Sequence, residues 1–192
     1  LGRLDEAAAS LTQAILFQPD YTEALCNLGV TQQRLGKLGK AESSYTQTIV
    51  SKPDYAEAYN NLGITLHKLG RLNAAKASYT QAIVLKPNYA EAMFNLGVTL
   101  EGLSRLEEAE LSYAQSVTLK PDFSKAGNRL LRCLYLADKR SLFFDQLDRL
   151  IDKGELNSMI GSLTCRSALK YGEEKPNLFC REPLECVLQI DL

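Results

Sequence analysis

The chain has 192 residues, of which 45% are hydrophobic, and its 22 basic and 23 acidic residues give a formal net charge of -1. These charges are interspersed, which excludes a general positive field for nucleic acid or for an anionic membrane surface. No apolar run reaches the roughly 18 residues of a membrane span. The composition therefore predicts a globular protein of one or two domains.

Five cysteines and a single histidine bear on the compartment and on possible chemistry. A chain of this length builds a core without disulfides, so a reducing, cytoplasmic setting is expected. The interval between Cys180 and Cys186 is not one that metal sites use, and His67 lies far away in the sequence. The motifs of serine hydrolases, zinc proteases and phosphate-binding loops are absent. We therefore predict no metal, no other cofactor and no catalytic residue.

The strongest signal in the sequence is a repeat of 34 residues. The residues that recur at this interval are Ala7, Ala41, Ala75 and Ala109, then Gly29, Gly63 and Gly97, and Pro19, Pro53, Pro87 and Pro121. Residues 22–55 and 56–89 are identical at 19 of 34 aligned positions, where chance would give roughly two. Such self-similarity predicts an array of like helical elements.

The first element, residues 1–21, matches only the second half of a repeat. It is predicted to be the second helix of a truncated repeat. The chain also starts without a methionine, so we expect it to be a fragment or a processed form.

Complete repeats follow at 22–55, 56–89 and 90–123, and each is predicted to form two helices. In the middle repeat an apolar stripe at helical spacing stops at Gly70, and a second stripe ends at Pro87, which cannot continue a helix. Gly63 is small where the two helices approach closely, and Tyr79 fills the space beside it.

Each complete repeat is also predicted to begin with a capping box. In this arrangement an N-cap side chain is followed three residues later by a glutamate. The candidate pairs are Asp20 and Glu23, Asp54 and Glu57, and Asn88 and Glu91.

The C-terminal third keeps the repeat length and loses its signature. In residues 124–157, Gly127 stands at the place of an aromatic residue and Leu131 at the place of a glycine. This divergence predicts a hairpin that caps the array. Residues 158–192 predict a helix followed by an irregular tail or linker, which Pro176 and Pro183 interrupt.

The repeats resemble those of the tetratricopeptide-repeat (TPR) family. The matching pattern is Tyr59-x2-Leu62-Gly63-x2-Leu66, Ala75-x3-Tyr79 and Pro87, with tyrosine in place of the usual tryptophan. Residues 56–63 are most similar to the TPR region of O-linked N-acetylglucosamine transferases and bacterial relatives. The tail is similar to the junction before a 2-oxoglutarate/iron oxygenase domain. The resemblance implies an all-α solenoid, a right-handed superhelix of stacked antiparallel helix hairpins.

In a TPR solenoid the first helix of each repeat lines a concave groove. The stripe of that helix opposite its apolar face carries one asparagine per repeat, whose amide could donate to and accept from a peptide backbone. Beside it lies a β-branched residue, and the last repeat adds basic residues that could pair an acidic group. The predicted peptide-binding residues are Asn27, Val30, Asn61, Ile64, Asn95, Val98, Lys125, Arg129 and Arg132.

Two points bear on the interpretation of this stripe as a peptide-binding groove. Duplication alone also copies harmless residues from repeat to repeat, which is the alternative explanation of the asparagines. Asn95, Lys125 and Arg129 resemble part of the carboxylate clamp of chaperone-binding TPR proteins, but Asn60 and Ile64 depart from it. Binding of a chaperone tail is therefore not expected.

The sequence thus predicts a protein–protein interaction module that is not an enzyme. It would bind an extended peptide or partner segment in its concave groove, without nucleic acid or membrane. One alternative is the substrate-recruiting arm of a larger enzyme, a glycosyltransferase or a 2-oxoglutarate/iron oxygenase, whose catalytic domain lies outside this chain. Another is a self-associating spacer.

Overall fold

The computed structural model describes residues 2–154 and 158–172, which form ten α-helices and no β-strand. The helices are α1 Gly2–Phe17, α2 Thr22–Arg34, α3 Leu38–Ser51, α4 Ala56–Lys68, α5 Leu72–Leu85, α6 Ala90–Gly102, α7 Leu106–Leu119, α8 Ser124–Leu136, α9 Arg140–Asp152 and α10 Ser158–Tyr171. The predicted all-α fold is confirmed. The chain divides into an N-terminal unit, which contains α1–α6, and a C-terminal unit, which contains α7–α10.

In the N-terminal unit each helix packs on the next one along the chain, from α1 through α6. The first helices of successive repeats, α2, α4 and α6, also contact one another in order. Two complete hairpins, α2 with α3 and α4 with α5, are therefore stacked side by side in this unit. Helix α1 packs on α2, and its assignment as the second helix of a truncated repeat stays a prediction.

A contact between a glycine and a tyrosine lies at the centre of each of these hairpins. A Cβ atom on Gly63 would lie 2.6 Å from Cε1 of Tyr79, and a Cβ atom on Gly29 would lie 2.6 Å from Cε1 of Tyr45. Both rings are buried. Real Cβ atoms do not approach other atoms this closely, so only glycine fits, and the predicted close packing at Gly63 is confirmed.

The starts of the first helices differ from the predicted capping boxes, which are wrong. The residues at the N-cap positions of α2, α4 and α6 are Tyr21, Tyr55 and Tyr89, and none forms a side-chain hydrogen bond to the helix. The predicted caps, Asp20, Asp54 and Asn88, each lie one residue too early.

The aromatic residue before the first helix stacks with a lysine that the sequence analysis did not single out. Nζ of Lys52 lies 5.2 Å from the ring centroid of Tyr55, and Nζ of Lys86 lies 4.7 Å from that of Tyr89. Each cation–π contact is worth about 0.5–1 kcal/mol at an exposed site. Each contact lies where the end of a second helix meets the start of the next first helix, which is where a capping box was predicted.

Ion pairs in the same unit lie both within a repeat, as for Lys86 and Glu57, and between successive repeats, as for Arg71 and Glu42. Nζ of Lys86 lies 2.7 Å from Oε1 of Glu57, and Arg71 Nη1 lies 2.7 Å from Oε1 of Glu42. The hydrogen bond from Lys86 holds the pKa of the Glu57 carboxyl below its usual value. Because these pairs are partly exposed, each adds at most about 1 kcal/mol to stability.

The turn between the two helices of a repeat requires a residue in the left-handed backbone conformation. Gly36 and Gly70 have φ angles of 72° and 74°, and the equivalent residue of the next repeat, Ser104, has a φ of 60°. A residue with a side chain pays about 1–2 kcal/mol for this conformation, which glycine avoids.

Ser104→Gly is therefore expected to raise the free energy of unfolding by about 0.5–1 kcal/mol, because the relieved strain exceeds the added freedom of the unfolded chain. Urea denaturation of the full chain measures the change. Ser104→Ala is the matched control, since it keeps the strain and should give no gain. A glycine variant that is less stable than the parent would contradict the prediction.

In the C-terminal unit α7 and α9 both pack on α8. Helices α8 and α9 lie within residues 124–157, for which a divergent capping hairpin is predicted. Large and small residues exchange places in the core between these two helices. Leu131 and Leu147 are both fully buried where the other repeats have glycine and tyrosine. Likewise Gly127 faces Leu150, and a Cβ atom on Gly127 would lie 2.9 Å from Cδ2 of Leu150. The hairpin loses the repeat signature while conserving the volume of its core.

Helix α10 packs on α8 and buries Ile160, Leu163 and Cys165. At its end the ring of Tyr171 lies 5.8 Å from that of Phe144 between centroids. A further helix therefore follows the predicted capping hairpin, and we propose that α10 contributes to the cap. The expected irregular tail concerns residues 173–192, which lie outside the described residues.

Candidate functional site

Six of the predicted peptide-binding residues lie on α2, α4 and α6 of the N-terminal unit, helices that contact one another in order. We call these helices the first-helix row. The six residues are Asn27, Val30, Asn61, Ile64, Asn95 and Val98. Asn27 is exposed, and the other five are half-buried. The structure thus places the six residues on adjacent helices but does not give them equal access to a ligand.

The apolar members of the set are partly core residues. Val30 packs against the buried cluster around Tyr45, and Ile64 packs against the cluster around Tyr79. The expectation that these residues point away from the core is therefore wrong in part. What they can offer a ligand is the exposed remainder of each side chain, which lies beside an amide.

The asparagines take part in hydrogen bonds between repeats, which the sequence analysis missed. Nδ2 of Asn95 donates to Oδ1 of Asn60 at 3.0 Å, across the contact between α6 and α4. Nδ2 of Asn61 lies 4.0 Å from Sγ of Cys26, across the contact between α4 and α2. The two contacts are equivalent, because Asn60 comes directly before Asn61 and Cys26 comes directly before Asn27 in their own repeats.

Asn60 connects these two contacts. Only 5% of its surface is exposed, and its Nδ2 lies 3.5 Å from Oδ1 of Asn61. The only signal for Asn60 in the sequence is that it stands beside the recurring asparagine, Asn61. Asn60, Asn61 and Asn95 therefore help to set the register of the first helices, in addition to any contact with a ligand.

The hydrogen bonds leave different groups open on each amide. Asn95 uses its donor, and its Oδ1 has no hydrogen-bond partner among the residues that the structure describes. The side chain of Asn27 is exposed and likewise has no partner within that part of the chain, so it keeps both a donor and an acceptor. The row thus offers amide groups that suit the backbone of an extended segment.

The thiol of Cys26 lies beneath this surface. Burial raises the pKa of the Cys26 thiol, so it stays protonated at neutral pH. A protonated thiol is a weak nucleophile. Cys26 is therefore suited to pack and to accept the contact from Asn61, and not to react.

The three basic residues of the predicted site lie on α8 of the C-terminal unit. Lys125 is exposed and forms no ion pair with any described residue, whereas Arg129 and Arg132 are half-buried. Arg129 and Arg132 already take part in interactions within the protein. Lys125 is the member of the three that is open to a charged ligand.

Within residues 2–154 and 158–172, no group of three or more histidine, cysteine, aspartate or glutamate side chains is arranged to hold a metal ion. In the same ranges, no helix has the length and apolarity to cross a bilayer.

Four family descriptions match the sequence, and all are of tetratricopeptide repeats. The description "Tetratricopeptide repeat" matches residues 22–55, 56–89 and 78–111, and "TPR repeat" matches residues 1–36. No curated protein matches the chain.

Solved structures similar to this chain share its fold. The structure of Pseudomonas aeruginosa pilF is 21% identical, with 99% of this chain and 84% of that one covered at a TM-score of 0.82. YrrB, described as a TPR protein with an unusual peptide-binding site, is 16% identical over 95% and 93% of the two chains, with a TM-score of 0.80. The first TPR of Spaghetti (RPAP3), bound to the HSP90 peptide SRMEEVD, is 23% identical over 61% and 93%, with a TM-score of 0.59.

Proposed function

Because the chain belongs to the tetratricopeptide-repeat family, we propose that it is a protein–protein interaction module that binds an extended partner segment along the first-helix row. The observation that carries this proposal is the open amide of Asn27, together with the open acceptor of Asn95, on helices that contact in order. Half-buried valine and isoleucine side chains lie beside these amides. Amides could bond the backbone of a segment while the β-branched residues contact its side chains.

The similar structures support this proposal by analogy. YrrB is described as having a peptide-binding site, and the RPAP3 repeat is bound to a peptide. Proteins of this fold can therefore bind a peptide. The described cysteines Cys26, Cys133 and Cys165 are buried and form no disulfide, which suits the reducing, cytoplasmic setting that we propose for the protein.

A second candidate function uses the same surface. The similarity of residues 56–63 to the repeats of O-linked N-acetylglucosamine transferases suits a substrate-recruiting arm of a larger enzyme. That role requires a catalytic domain beyond these 192 residues, either a glycosyltransferase or a 2-oxoglutarate/iron oxygenase. Sequencing the complete gene separates the two proposals.

Asn27→Ala is expected to weaken binding of a segment by on the order of 1 kcal/mol, about fivefold, because one amide contact is lost. Peptides selected from a random display library against the full chain supply the ligands, and fluorescence anisotropy measures affinity. Asn27 is the clean probe because it is exposed, whereas replacing Asn95 would also break the hydrogen bond to Asn60.

The matched control for this measurement is Gln47→Ala. Gln47 is an exposed amide on α3, a second helix of the N-terminal unit, so its removal should leave affinity unchanged. Equal affinities of the parent and the Asn27→Ala variant for every selected peptide would reject the first-helix row as the binding surface. The self-associating spacer would then be the better explanation, and light scattering would test it.

Lys125→Glu is expected to weaken binding of those selected peptides that carry acidic residues. The loss should be steeper at about 0.03 M salt than at about 0.5 M, because salt screens exposed charges. Lys40→Glu makes the same change of charge at an exposed residue of α3 and serves as the control. A loss of affinity that does not depend on salt would contradict a charge contact at Lys125.

A further inference from the structure

The C-terminal unit contains a cavity of about 390 Å³ that no sequence motif indicates. It opens between the end of α7, the start of α8 and the last turns of α9. Gly127 forms part of its lining, where the equivalent residues of the other repeats are Leu25, Tyr59 and Met93. A cavity of this size lies within the range of sites that take a ligand.

A buried amide without a partner points into this cavity. Only 5% of the surface of Gln146 is exposed. Its side chain lines the cavity, with Nε2 3.2 Å from the place that a Cβ atom on Gly127 would occupy. Gln146 has no side-chain hydrogen bond to any residue in the described ranges. Because the amide has no partner in the described protein and lines the cavity, a ligand group that lies beside it can form this hydrogen bond.

The remainder of the lining is apolar inside and positive at the mouth. The apolar lining residues are Val117, Pro121, Phe123 and Leu150. Arg149 is exposed and forms no ion pair with a described residue, and Nζ of Lys153 donates to the backbone carbonyl of Pro121. Among the described residues that line the cavity there is no carboxylate. The cavity thus favours a group with an apolar body, a hydrogen-bonding tip and negative charge beside it.

We propose that this cavity binds a tyrosine side chain presented by an acidic segment of a partner protein. The ring packs against the apolar lining, the hydroxyl oxygen accepts from Nε2 of Gln146, and neighbouring carboxylates pair with Arg149 and Lys153. Tyrosine fits better than phenylalanine, which would leave the amide unpaired. Tyrosine is also among the residues that most often dominate binding energy at protein interfaces.

The test is a titration of the full chain with the peptide acetyl-Gly-Glu-Tyr-Glu-Gly-amide, followed through its backbone amide NMR signals. We expect shifts at Gly127, Gln146 and Leu150. The analogue with phenylalanine in place of tyrosine should bind about threefold to tenfold more weakly. In the Gln146→Leu variant, which keeps the shape and removes the amide, the two peptides should bind equally.

Charge is tested separately. Arg149→Glu should weaken binding of the tyrosine peptide about fivefold or more at low salt, whereas Arg166→Glu, the same change at an exposed residue of α10, should not. Equal binding of the tyrosine and phenylalanine peptides to the parent chain would overturn the proposal even if Gln146→Leu failed to fold. Shifts confined to other residues would overturn it as well. So would tighter binding of 4-hydroxyphenylacetate than of the peptide, since that result would assign the cavity to a small molecule.

Discussion

Gly63→Leu is expected to lower the free energy of unfolding by about 1–3 kcal/mol or more, because overpacking forces apart a hairpin with no free space. A Cβ atom alone would lie 2.6 Å from the ring of Tyr79, and 2% of the surface of Tyr79 is exposed, so the ring has little room to move. Urea denaturation measures the loss. Because neighbouring repeats share this core, the damage should spread beyond one hairpin, and faster amide exchange in both α3 and α6 would show it.

Gly39→Ala is the control for this substitution. Gly39 lies on α3, and apart from its chain neighbours and the backbone of its own helix nothing lies within 4 Å of the place where its Cβ would be. The alanine should therefore leave stability unchanged or raise it by up to about 1 kcal/mol through helix propensity. If Gly63→Leu unfolded at the same urea concentration as the parent, the packing of glycine on tyrosine would not be what closes the hairpin.

The second large effect is expected from the exchange of volumes in the C-terminal hairpin. Gly127→Met alone should cost about 1–3 kcal/mol, since its Cβ would meet Leu150 at 2.9 Å. Leu150→Ser alone should cost about 2–5 kcal/mol, since it leaves a buried void. The double variant restores the pairing of residue types at Met93 and Ser116, the equivalent residues of the third repeat. It should lose at least about 1 kcal/mol less than the sum of the single losses.

Two substitutions that are far apart provide the control for the Gly127 and Leu150 variants. Leu150→Ser combined with Gly39→Ala, in the other unit of the chain, should give losses that add within about 0.5 kcal/mol. Additive losses for the Gly127 and Leu150 pair as well would show that the two side chains do not compensate each other. The idea that this hairpin differs from the other repeats while conserving the volume of its core would then be rejected.

The features that the sequence predicted correctly depend on local sterics. Gly70 follows the end of α4 with a positive φ, and Gly63 meets Tyr79 across a hairpin of fixed length. Both follow from residues that recur every 34 positions, because equivalent residues make the same packing contacts in each repeat. Helix number, helix order and the place of the hairpin contacts were therefore predictable.

The features that the sequence did not predict depend on the register between separate helices. The bond from Asn95 to Asn60 joins residues 35 positions apart, and no local pattern shows that their side chains meet. The asparagine stripe was therefore predicted only as a peptide-binding surface, when part of it is an inter-helix contact. The capping boxes failed for a related reason, since Tyr55 and its contact with Lys52 occupy the start of α4.

The constant spacing of the ion pairs between repeats affects how such a chain can change its length. Two ion pairs join residues that are 29 positions apart, Glu42 with Arg71 and Glu110 with Lys139. The second pair lies two repeat lengths after the first. In each pair the acidic residue lies 29 positions before a basic residue of the next repeat. Lys76 and Arg105 occupy the two equivalent positions in between, and because both are basic no ion pair of this kind can form there. Deleting residues 43–76 would bring Arg105 to the same 29-residue interval from Glu42. An array of this kind can therefore lose one repeat in a single genetic step and keep an ion pair between the two repeats that become neighbours.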